Sequence, residues 1–343
     1  MRAEPRPSIE ILAPCGGPEH LRAAVYAGAD AVYAGLRDFS ARRNAVNFSA
    51  DELREAVRFC RGFGARVYVA LNILIRDAEL DAARRVLEEM ADIGPDALIV
   101  QDLGLARYIR AALPDMPLHA STQMSVHSLE GARFCAGLGF ERVVIARECD
   151  RGTLEAIAAG SPCGVEVFVH GALCVSVSGQ CTLSSVIGGR SGNRGLCAQP
   201  CRLDFSYNTE TGANRPCKGK IPYALSLKDL SLVRDLPELA RMGVQAVKIE
   251  GRMKRPEYTA AAVAACRAVL EGREPDLESL RAVFSRQGFT RGYYTGRHAD
   301  MRGTRTEEDA RAAAAVLPRL AALYEQPARR VPVDMRFTLA PGA

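Results

Sequence analysis

The chain has 343 residues, of which 48% are hydrophobic and 25% charged, and a net charge of +5. This composition excludes a disordered or fibrous chain and provides enough apolar material for a large core. The opening MRAEPRPSIE carries no apolar run after its basic residues, and no stretch reaches the ~18 apolar residues of a membrane span; a cytoplasmic protein without a membrane partner is expected.

Short β-branched runs alternate with amphipathic segments over the first half of the chain. The runs are IEILAP (9–14), AVYAGL (31–36), RVYVALN (66–72), ALIVQD (97–102), LHASTQ ending at Gln123, RVVIARE (142–148) and VEVFVHG (165–171). Between them lie helical patterns such as PEHLRAAVYAGA, with Pro18 at its start, SADELREAVRFCRGFG, with Ser49 as N-cap, and DAELDAARRVLEEMADIG. An eighth run, AVKIEGR (246–252), follows an interruption at about 172–222, and a helix opened by Pro256 closes the series. Eight such steps predict an α/β fold, a TIM-like (β/α)8 barrel over residues 8–275, in preference to an open doubly wound sheet. A C-terminal extension, 276–343, holds the basic stretch FSRQGFTRGYYTGR and a helix started by Thr306 with Asp309 in capping-box spacing. Its last run, VPVDMRFTL, reads either as the first strand of a further C-terminal domain or as a strand docked on this one.

Alternate residues of a barrel strand face the lumen, which is ordinarily filled by Val, Ile and Leu. Here alternation sends Glu10, Asn72, His119, Ser121, Gln123, Glu166, Phe168, His170, Lys248, Glu250 and Arg252 inward. Buried charges need partners, so this set is either a polar small-molecule pocket or an ion-pair network of Glu166 or Glu250 with Lys248 or Arg147. At strand ends, where barrel enzymes build their sites, stand Asn72, Asp102, Gln123, Glu148, His170 and Arg252. Arg252, Lys248 and Arg147 are candidates for an anionic co-substrate, His170 and Glu166 for proton transfer, and His119 and Gln123 for positioning.

Five of the eleven cysteines, Cys174, Cys181, Cys197, Cys201 and Cys217, fall within 44 residues of the interruption. In a reducing compartment such clustering points to metal or redox chemistry over disulfides. The spacings leave iron–sulfur and zinc both open, since only Cys197 and Cys201 stand as close as zinc motifs usually require. Cys15 is a candidate reactive thiol; Cys60, Cys135, Cys163 and Cys266 read as core. The loop Ser185 to Gly195 is rich in Gly and Arg, suited to cradling an anion or to wrapping a metal centre. Arg190, Arg194 and Arg202, with the FTRGYYTGR stretch, are candidate RNA phosphate contacts.

The stretches EVFVHGALCVSVSGQCTLSS (166–185), GRSGNRGLCAQPCR (189–202), SLKDL (226–230) and VKIEGRMKRPEY (247–258), with ILAPCGGPEHLRAAVYAGADAVYAG near the start, resemble the peptidase U32 family, the collagenase-like proteases. The SGNRGLCAQPCR form is most similar to the branch that hydroxylates a cytidine of 23S ribosomal RNA. That resemblance implies an RNA hydroxylase with a 4Fe–4S cluster on Cys174, Cys181, Cys197 and Cys201, prephenate as oxygen source, an rRNA or tRNA substrate and an electron donor. In some relatives a position matching Cys217 supplies the fourth ligand, and this chain has both cysteines. The family name implies proteolysis as the alternative. The sequence has neither HExxH nor GxSxG, which leaves a Cys–His pair such as Cys174 with His170 as candidate machinery. A non-catalytic RNA-binding module with a structural metal is the third reading, and it leaves the polar lumen unexplained.

Overall fold

A computed structural model describes residues 9–42, 45–205 and 222–328. Eight parallel strands form the barrel: β1 (Glu10–Pro14), β2 (Ala31–Gly35), β3 (Arg66–Leu71), β4 (Ala97–Val100), β5 (Leu118–Ala120), β6 (Arg142–Val144), β7 (Gly164–Ala172) and, after a shorter strand β8 (Asp229–Ser231), β9 (Ala246–Ile249). β9 pairs with both β1 and β7 and thereby closes the ring. The sequence predicted this TIM-like architecture.

The helices α1 (Pro18–Tyr26), α2 (Ala50–Gly62), α3 (Leu80–Ile93), α4 (Leu103–Ala112), α5 (Leu129–Gly137) and α6 (Arg151–Gly160) follow β1 to β6 in turn. Their boundaries follow from local chemistry. Ser49 and Glu52 form a capping box at the start of α2, and Gly94, at φ 66°, ends α3 in a left-handed conformation that favours glycine. The helix α9 (Pro256–Leu270), which follows β9, is buried on most sides, and its alanines allow close approach to its neighbours. No helix of the described residues is long and apolar enough to cross a membrane.

Two strands were not expected. SLKDL contributes β8, which runs antiparallel to the end of β7, and β10 (Phe289–Thr290) in the C-terminal extension adds to β8 in parallel. The extension thus joins the same sheet, and a buried Arg286–Asp229 ion pair at 2.7 Å ties the two strands together. The basic FSRQGFTRGYYTGR stretch is therefore folded in, with Arg291 also paired to Asp235. Arg286 is buried there, whereas Arg291 and Arg297 remain exposed. The helix at Thr306 forms with its capping box, whereas VPVDMRFTL lies outside the described residues.

Candidate active site at the barrel mouth

The lumen has two layers. In the lower one Arg142 meets Glu10 at 2.7 Å and Glu166 at 3.4 Å, Lys248 meets Glu166 at 2.8 Å, and Arg66 also pairs with Glu10. Tyr68 donates its hydroxyl hydrogen to Glu10 at 2.9 Å, and His119 lies edge-on to the Tyr68 ring. Glu166 is fully buried. Burial alone raises a carboxyl pKa, but Lys248 and Arg142 outweigh it, and Glu166 is held below the ordinary range. A carboxylate committed in this way does not shuttle protons, so the Glu166 proposed for proton transfer is instead a partner in the ion-pair network. Burial, and then Arg142, push His119 down to about 3, so it is neutral at physiological pH and sits beneath the mouth.

His170 corrects the alternation argument. Between Phe168 and His170 the β7–β9 register slips, and this bulge re-aims the His170 side chain. The imidazole leaves the lumen and packs against Tyr258 and Phe289, with both nitrogens buried and without hydrogen-bond partners among the described residues. Burial pushes it down to about 3. It forms no pair with Cys174 and is not placed to transfer protons. His170→Phe is therefore expected to leave the melting temperature within a few degrees of wild type and any activity of the site intact, as a thermal melt beside an activity assay checks.

The upper layer opens into a cavity of about 280 Å³. Its floor is Glu250, ion-paired to Arg147 at 2.9 Å and Arg42 at 3.4 Å, with Lys248 and Arg252 nearby. Burial opposes the Glu250 charge, yet these cations hold its pKa down to about 2. Arg252 donates to Ser40 Oγ at 2.8 Å, and it fits because β2 ends on Gly35: a Cβ there would collide with its guanidinium. Its Nε has no partner among the described residues, and burial lowers its pKa to about 10. Arg147 lies over the Phe168 ring and Lys248 over Tyr33. Asn72 accepts from the Ala41 N–H at 3.0 Å, which anchors the loop that carries Arg42. The cavity holds more cations than carboxylates, as a site for a small anion requires. Sequence reasoning missed Arg42, Tyr33 and Lys254. Arg42 was findable from its place in the loop after the second strand; Lys254, held at about 7 by burial and then by Arg286, gave no signal.

The same cavity is lined by Cys174, Cys181, Cys197 and Cys201. Backbone N–H groups of Leu183 and Gln199 point at the Cys181 and Cys197 sulfurs, at 3.4 and 3.3 Å. Cys201 is pushed up by burial, against the opposing Arg202, and further by Cys174, Cys197 and Cys181, so the four thiols are within electrostatic reach of one another. Among the described residues no three Cys, His, Asp or Glu side chains converge on one point that could hold a single metal ion. Cys217 lies outside the described residues. Cys15 is fully buried and its pKa is raised by that burial, which corrects its candidacy as a reactive thiol.

Other candidates prove to be scaffolding. Asp102 caps α4 through the Leu105 N–H and also accepts from Ile75. Glu148 accepts from the Ser178 N–H and hydroxyl at 2.6 and 2.8 Å, which holds the turn between Cys174 and Cys181 over the mouth. Arg194 is clamped between Leu74 O and Glu79, and Arg202 donates to the Leu173 and Leu227 carbonyls, so neither offers a free guanidinium to phosphate. Arg190 is exposed, and Gln123 lines the cavity.

The description Peptidase family U32 matches residues 16–303. The chain is 36% identical over 274 residues to tRNA hydroxylation protein P1 of Bacillus subtilis, covering 79% of this chain and 65% of that one. It is 39% identical over 263 residues to the 23S rRNA 5-hydroxycytidine C2501 synthase of Escherichia coli, covering 77% of this chain and 39% of that one. A protein named collagenase from Porphyromonas gingivalis is 33% identical over 314 residues, covering 84% and 74% of the two chains. A solved U32 peptidase structure shares the fold, with a TM-score of 0.50 at 14% identity over 73% of this chain and 96% of that one. The extent of the family match, on a barrel that carries its cysteines at the mouth, shows that the chain belongs to peptidase family U32.

Proposed function

We propose that this chain is an RNA nucleobase hydroxylase that carries a 4Fe–4S cluster and uses prephenate as co-substrate. The observation that carries the reading is the meeting of four cysteines and a largely cationic lining in one cavity. The relatives' names, tRNA hydroxylation protein and 23S rRNA 5-hydroxycytidine synthase, supply the reaction class. Cys174, Cys181, Cys197 and Cys201 hold the cluster. They line one cavity, as a polynuclear centre in which each iron has its own thiolate requires. N–H donors aimed at the sulfurs stabilise thiolate character. When bound, the cluster supplies the electron-transfer chemistry, in exchange with a separate donor that meets it at the exposed Cys197.

Prephenate is a dicarboxylate, and Arg252, whose Nε is unpartnered among the described residues, is its foremost partner, with Lys248 and the Glu250-paired Arg147 and Arg42 adding positive charge to the cavity. Asn72, Gln123 and the Tyr33 ring shape the wall. Arg190 is free at the surface for RNA phosphate. The chain spans 65% and 39% of the first two relatives, so the reading concerns the barrel and its site, in a cytoplasmic setting.

Peptidase activity has the collagenase relative in its favour. The outward His170 removes the thiol–imidazole pair it would have used. Mass spectrometry of RNA nucleosides from a deletion strain is the deciding experiment: a hydroxylated pyrimidine is expected to disappear and to return on complementation. An unchanged nucleoside profile, with gelatin degradation by the purified protein, reverses the assignment.

A further inference from the structure

Beside the cysteine cavity, a groove of about 540 Å³ lies between the starts of α4 and α5. Gln101 and Gln123 line it, 6% and 7% exposed, and the Oε1 atoms of both are buried without a hydrogen-bond partner among the described residues. Unpartnered buried amide oxygens are costly, and a ligand that donates to them removes the cost. The remaining wall mixes apolar Met124, Leu103 and Phe134, the last 58% exposed at the lip, with the polar Ser125, His127 and Ser128. The one carboxylate at the groove, Asp102, is already engaged by two backbone N–H groups. The groove therefore suits a flat molecule with a polar edge. Gln123 also lines the cysteine cavity, so a ligand seated here reaches its edge.

We infer that this groove receives an unstacked nucleobase of single-stranded RNA, with its edge read by Gln101 and Gln123 and its face against Phe134. Glutamine amides offer a donor and an acceptor to a base edge, and aromatic side chains stack on splayed bases. A base taken out of its stack also gives an enzyme access to a ring atom. This inference deepens the RNA-hydroxylase reading and rests on it.

The test compares two fluorescein-labelled probes of roughly ten nucleotides, an oligocytidylate and an abasic ribose-phosphate strand of equal charge. Both are titrated by anisotropy into the full chain and its variants. The full chain is expected to bind the cytidylate at least about tenfold more tightly. Phe134→Ser, at an exposed position that spares the core, and Gln101→Leu are each expected to erase that preference while leaving abasic binding unchanged. Equal binding of the two probes by wild type, or a preference retained by both variants, overturns the subsite. The deletion strain separates the two claims. If both variants restore the hydroxylated nucleoside to the wild-type level, the subsite falls and the hydroxylase reading stands. If the wild-type gene itself changes no nucleoside, that reading falls, and the anisotropy result decides the groove by itself.

Discussion

Glu166→Ala is expected to lower stability by about 3–5 kcal/mol, because it leaves Lys248 a buried cation without its ion-pair partner and takes from Arg142 one of its two acids, Glu10 at 2.7 Å remaining. Urea denaturation followed by circular dichroism measures this directly as a shift in midpoint. The double change Glu166→Leu with Lys248→Met is expected to recover most of the loss, because removing both charges also removes the unpaired one. A single variant as stable as wild type would mean that water or Glu10 compensates the pair. Other buried groups set the acid response. His119 and His170 are held at about 3 against an ordinary 6.5, so the unfolded chain binds more protons, and stability falls as pH drops from 6.5 toward 3. Glu250, held at about 2, adds a second loss as pH falls below the ordinary carboxyl range of about 4.3. The midpoint is therefore expected to decline in two stages, the histidines first.

The second large effect concerns iron. Cys201 lines the cavity with the other three thiols, and the proposed site assigns it as the fourth ligand. Anaerobically purified and reconstituted Cys201→Ala protein is expected to lose most of its iron and sulfide, lose its visible absorbance, and reduce hydroxylated nucleoside in complemented cells to background. Cys217→Ala is expected to retain all three. The opposite pattern would hand the fourth position to Cys217. Colourless wild-type protein holding one zinc per chain would remove the cluster altogether.

Much of the site was legible because barrel geometry ties function to position. Residues at the C-terminal ends of strands converge wherever the chain closes, which is why Asn72, Gln123, Arg147, Glu250, Arg252 and the cysteines meet in one cavity. The errors have a common cause. Asp102, Glu148, Arg194 and Arg202 are the right residue types in the right loops, yet each is occupied by a backbone group or a counter-charge that only folding brings near.

By itself the sequence determined the eight-step barrel, its capped helices and the position of the cysteine cluster at the mouth. Those features follow from periodicity, capping and spacing, which are local. The tertiary structure alone decided that Glu166 is neutralised from across the lumen, that β8 and β10 knit the extension to the barrel, and that His170 faces outward. A one-residue bulge leaves no mark on composition, and a buried ion pair such as Arg142–Glu10 depends on partners 132 residues apart. Facing and pairing of this kind are settled by three-dimensional packing.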